Sequence, residues 1–153
     1  MPPPIFSPNQ IWQDDCFYLR NGKCERKYYL VLAVSDDSSD ALIAAFTTKP
    51  NGLTAHPPCS TGIPRAGYYV GVQGGVLPLE SWVEFDGLKI VDDFVVKKQI
   101  ANGQTLLTGQ SLPRHTFCCV LRCALNIQDD IEKRAIRWIY TAMQTHGCEQ
   151  FLR

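Results

Sequence analysis

Up to about residue 110 the apolar side chains come in short runs separated by Gly, Pro, Asn and Asp, and beyond it they recur every three or four residues. This change of period constrains the fold most, because a run of strands followed by helices specifies an α+β layout with an antiparallel sheet. The strongest strand is Tyr28–Val34, continuous, β-branched and aromatic, and therefore expected to be buried on both faces. Before it, Ile11-Trp12 and Cys16–Leu19 read as strand, with Asn21-Gly22 as a tight type I′ turn. After it come Ala41–Thr48, Tyr68–Val72, Trp82–Phe85, Leu88–Val91 and Phe94–Lys97. Such short, evenly spaced strands predict a small antiparallel β-barrel.

Two C-terminal helices are expected. Ser111 is placed to cap the first, with Pro113 in its first turn and Phe117, Leu121, Ala124 and Leu125 on one face. The second starts near Asn126 or Asp129, carries Ile131, Ala135, Trp138, Ile139 and Ala142 on one side, and stops before Gly147. At 153 residues the chain fits one domain: an extended lead-in over 1–8, barrel strands over 9–110 with a long loop at 49–67, and two helices over 111–147.

The 15 basic and 15 acidic side chains cancel, and they do so within each half, 6 against 6 in residues 1–76 and 9 against 9 in residues 77–153. Binding to nucleic acid or anionic lipid by bulk charge is therefore excluded, which leaves only local patches. One patch stands out. Arg20, Lys23, Arg26 and Lys27 fall within eight residues that hold a single acid, Glu25, and Tyr18, Tyr28 and Tyr29 interleave with them. Cations on phosphates and rings under bases are what a single-stranded RNA site uses, although edge strands also carry Lys and Arg to prevent aggregation. His56, in the long loop, and Arg65, near its end, are further candidates for that site.

The start, Met1-Pro-Pro-Pro, lacks a basic signal region, and no stretch approaches 18 uncharged apolar residues, so a cytoplasmic protein with no membrane partner is expected. In a reducing compartment the seven cysteines read as thiols that pack as small apolar residues. His115, Cys119 and Cys123 form a stripe at four-residue spacing which, with Cys118 or Cys148, has the donors for zinc, but no CxxC pair is present, and no metal or cofactor is expected.

At the level of short motifs the chain resembles the MazF/PemK family of toxin ribonucleases, which are SH3-like barrels. Asn9-Gln10-Ile11-Trp12 stands where members have Gly-Asp-Ile-Trp, and Arg26-Lys27-Tyr28-Tyr29-Leu30-Val31-Leu32 where they have Arg-Pro-x-Leu-Val-Leu. Phe46-Thr47-Thr48 matches their Ile-Thr-Ser, and Trp82–Lys97 and Ser111-Leu112-Pro113 to Leu125 match their later strand and capped helix. The likeness spans residues 9–127; the chain departs from it in lacking the Gly-Asp pair, in Tyr28 replacing the proline, and in its added helix. The resemblance implies an SH3-like barrel and a homodimer that cleaves single-stranded RNA without a metal and is neutralised by a cognate antitoxin protein. It implies Arg26 or Lys27 as the charge-stabilising group and Thr47 or Thr48 as the phosphate ligand; the hairpin and loop residues Arg20, Lys23, Tyr28, His56 and Arg65 read by their own chemistry as RNA-binding around them. The competing expectations are a non-catalytic binding module or inhibitor on the same barrel, of the topoisomerase-poison type, and a non-enzymatic phage or mobile-element protein.

Overall fold

A computed structural model describes residues 3–19, 21–62 and 64–150. Eight strands form one antiparallel sheet: β1 (Ile11–Tyr18), β2 (Cys24–Val34), β3 (Asp40–Thr47), β4 (Cys59–Thr61), β5 (Ala66–Gly71), β6 (Ser81–Glu84), β7 (Lys89–Asp92) and β8 (Thr105–Leu107). Three α-helices join them: α1 (Asp93–Ala101), α2 (Arg114–Ala124) and α3 (Lys133–Thr145). The layout is α+β as the change of period predicts, but the sheet does not close into a barrel. Its order is β4-β5-β6-β3-β2-β1-β8, with β7 also paired to β3. The cause lies in β3, whose first half pairs with β7 and whose last two residues pair with β6, so that the sheet forks, leaving β4 and β8 as edges.

β2 is buried on both faces, as its continuous apolar run requires. Leu30 and Leu32 point into one cluster with Leu42, Ala44 and Phe46; Tyr29 and Val31 point into another with Ile43 and Ala45. Helices α2 and α3 cover the first face through Phe117, Leu121, Trp138 and Ile139, on the stripes expected of them. The N-terminal Phe6 and α1 cover the second, α1 through Val96 alone among its own buried residues. Helices therefore lie on both faces, not on one.

Several local expectations change. Phe94–Lys97, expected as a strand, forms α1, because the side chain of Asp92 caps it by accepting from the Val95 amide. Ser111 does not cap α2: Pro113 holds the N-cap position and makes no side-chain cap. The β1–β2 connection is no two-residue type I′ turn, since of its described residues only Gly22 has positive φ, at 83°. The 49–67 segment is not structureless. It contains β4, buries Leu53, and is pinned by the Trp82 indole N–H, which donates to Thr54 O at 3.0 Å.

The largest correction concerns the cysteines, six of which are paired. Cys16 joins Cys24 across the first hairpin, Cys59 on β4 joins Cys123 on α2, and Cys118 on α2 joins Cys148 just past α3. The partners meet only because the helical layer folds back over the sheet, at separations of 64 and 30 residues for the last two. Cystines belong to oxidising surroundings, so the thiol argument for a reducing cytoplasm no longer holds. Among the described residues no helix is long and apolar enough to cross a membrane.

Candidate functional site

The start of β2 lies beside the end of β3, near where the sheet forks, and residues from the segment 76–81 line the space next to them. This leaves an open cleft of about 270 Å³. Arg26, Lys27, Tyr28, Thr47 and Thr48, drawn from segments some twenty residues apart, all line it. Glu25 and Lys49 join them, so three cations face one carboxylate, while Phe46, Val76, Leu77 and Leu79 supply apolar wall.

The two neighbouring cations are held very differently. The Lys27 side chain is 14% exposed, with its ammonium 3.6 Å from Glu25 and 3.9 Å from Glu84 and donating to Phe46 O at 3.4 Å. It is a fixed charge. The Arg26 side chain is 62% exposed, anchored from below by a 2.7 Å bond to Gln13 Oε1 and a 3.6 Å approach to Asp15. Its remaining donors face solvent at the cleft. The two threonines also divide. The buried Thr47 hydroxyl accepts from the Lys49 amide at 3.1 Å, closing a turn, whereas Thr48 is exposed and its hydroxyl makes no hydrogen bond among the described residues.

Arg65 does not line the cleft. It is a structural cation, paired with Asp86 and, at 3.2 Å, with Glu84, and it donates to Pro50 O at 3.0 Å. Burial works against its charge, yet the Asp86 and Glu84 carboxylates hold its pKa above the ordinary arginine value. Through Glu84 it is tied to Lys27, giving a chain Lys27–Glu84–Arg65–Asp86 behind the cleft. His56 is exposed, 6.5 Å from the Tyr69 ring, and Lys23 sits on the hairpin; neither lines the cleft. Arg20 lies outside the described residues.

Sequence reasoning missed Glu25, Lys49 and the 76–81 wall. Lys49 follows directly on Thr47-Thr48 and was visible by adjacency, but nothing in the sequence signals that 76–81 lies beside β3. The zinc arrangement does not form, because Cys118 and Cys123 are in disulfides. The free thiol, Cys119, lies 3.9 Å from His115 Nε2. Burial first, and the bond with Cys119 second, push the Tyr68 hydroxyl up to about 12. No protein family, curated protein or solved structure matches the chain.

Proposed function

We propose that the cleft binds a phosphodiester of single-stranded RNA and cleaves it by attack of the neighbouring 2′-hydroxyl. The observation that carries this reading is the convergence of Arg26, Lys27, Lys49 and Thr48 on one open cleft beside Tyr28. In this reaction the 2′-oxygen bonds to phosphorus, the bond from phosphorus to the 5′-oxygen breaks, and the products are a 2′,3′-cyclic phosphate and a 5′-hydroxyl. Glu25, the one carboxylate lining the cleft, takes the 2′ proton. The Arg26 guanidinium grips the two non-bridging phosphate oxygens as charge builds on them, Lys27 adds a fixed positive field, and the exposed Thr48 hydroxyl donates to one of the same two oxygens. Lys49, exposed and without an ion pair among the described residues, returns a proton to the departing 5′-oxygen.

The backbone at Asn9 supports the resemblance to toxin ribonucleases. It stands in the place of the family's glycine and has φ of 71°, a conformation glycine adopts freely and asparagine tolerates better than most residues. Three cations around an open cleft also suit an acidic segment of an antitoxin protein, which would inhibit by covering them.

Induced expression is the test. Growth arrest is expected, relieved by Arg26→Ala or Thr48→Ala in proteins that still fold, whereas Lys23→Ala, outside the cleft, leaves it intact. Arrest that persists in Arg26→Ala moves the toxicity away from this site. A protein that binds RNA without cleaving it is a binding module instead.

A further inference from the structure

Six of the seven cysteines are paired, and the seventh does not stand alone. The half-buried Cys119 thiol lies on α2 with His115 Nε2 3.9 Å away, and the Tyr68 hydroxyl of β5 donates to its sulfur. One turn further along the helix, Cys123 holds the bridge to Cys59 on β4. A nucleophile, a base within reach of its proton, a donor to the thiolate and a disulfide are thus gathered between one helix and the two strands it covers.

The surroundings single out one sulfur of that disulfide. Cys118 and Cys148 are fully buried and Cys123 is 2% exposed, whereas Cys59 is half-buried and the exposed Asn126 side chain reaches its sulfur at 3.5 Å. Cys59 and Tyr68 are direct partners across the β4–β5 pair, so their side chains share the face that α2 covers. Cys119 meets Tyr68 there as Cys123 meets Cys59. Attack on Cys123 instead would bridge residues four apart on one helix, whose Cβ atoms lie about 5–6 Å apart where a disulfide spans roughly 4 Å.

We propose that Cys119 is the nucleophile of an internal thiol–disulfide exchange, which moves the bridge of Cys59 from Cys123 to Cys119. His115 takes the thiol proton and the Cys119 thiolate attacks Cys59 Sγ; the Cys59–Cys119 bond forms as the Cys59–Cys123 bond breaks, and the electron pair leaves on Cys123 Sγ. The proton returns to the released Cys123 thiolate, and the resulting thiol has the Gly67 carbonyl oxygen 3.4 Å away to accept its hydrogen bond. No oxidant or reductant is consumed. The chain thereby has two covalent states, one with a reachable thiol at Cys119 and one whose thiol, at Cys123, is closed off in the core. None of these residues lines the cleft, so the exchange is independent of the RNA chemistry.

Disulfide mapping of the full chain, purified without reductant, is the test. Free thiols are alkylated with N-ethylmaleimide in mildly acidic denaturant, which arrests exchange, and the unreduced peptides are read by mass spectrometry. Cys59 is expected to be joined to Cys123 in one population and to Cys119 in a second of about 1% or more, with the label on Cys119 and on Cys123 respectively. Cys123→Ser is expected to join Cys59 to Cys119 with unchanged circular dichroism, and Cys119→Ser to leave Cys59 joined to Cys123 alone. His115→Gln is expected to slow reaction of the native thiol with dithiobisnitrobenzoate by about tenfold or more; an unchanged rate rejects His115 as the base. A wild type in which Cys59 pairs with Cys123 alone overturns the inference, as does Cys119 bridged only to a second chain or a small thiol, or a folded Cys123→Ser protein that leaves Cys59 and Cys119 both free.

Discussion

The two faces of the central sheet are finished to different standards. One is covered by α2 and α3, buries Phe117, Leu121 and Ile139 completely, and is stapled by Cys59–Cys123 and Cys118–Cys148. The other is covered by α1, which buries only Val96 and turns Phe94, Val95 and Ile100 outward. The cleft draws its apolar wall from the stapled face, through Phe46, Leu77 and Tyr28. A binding cleft needs fixed geometry, and this one lies against the face that the disulfides hold.

Breaking the stapled face is expected to cost most. Phe117→Ala removes a fully buried ring between the helices and the sheet, and is expected to lower unfolding free energy by about 4 kcal/mol in chemical denaturation. Cys59→Ser with Cys123→Ser opens a loop of 64 residues and is expected to cost roughly 4 kcal/mol; the Cys118–Cys148 loop of 30 residues gives slightly less. On the other face Val96→Ala is expected to cost roughly 2 kcal/mol, because it removes two buried methyl groups where Phe117→Ala removes a whole ring. Equal losses at Phe117 and Val96 would erase the distinction between the faces.

The smallest effect falls outside both layers, in the turn between β2 and β3. There Asp37 accepts from Ser39 and Ser35, and these bonds lower its carboxyl to about 2. Because the folded pKa lies below the unfolded value near 4, the unfolded chain binds the proton first as pH falls. The stability Asp37 contributes is whole above about pH 4 and is lost as the pH drops toward 2. Asp37→Asn is expected to lower stability slightly at neutral pH, to flatten the acid limb of a stability–pH curve, and to leave stability near pH 2 nearly unchanged. A direct NMR titration placing Asp37 near 4 would contradict this.

What the sequence disclosed follows from which signals are local. The both-face burial of Tyr28–Val34 and the stripes of α2 and α3 are periodicities within one element and appear as expected, except that α3 begins at Lys133, after a 3-10 turn over Leu125–Asp130 that leaves Ile131 outside it. The joining of Arg26, Lys27, Thr47 and Thr48 was legible only through the family resemblance, because their meeting depends on the pairing of β2 with β3. α1 was misread because Phe94-Val-Val is β-prone, and the capping role of Asp92 outweighed that preference. The disulfides, the forked sheet and the open β8 edge left no local trace: each is set by how distant segments pack.

The most direct measurement is cleavage of a labelled single-stranded RNA by the purified protein in EDTA without reductant, with analysis of the new ends. The account predicts 2′,3′-cyclic phosphate and 5′-hydroxyl ends, and a loss of rate of about 100-fold or more in Arg26→Ala, the scale of removing one donor to a developing oxyanion. Intact RNA, or cleavage undiminished in Arg26→Ala, would contradict it.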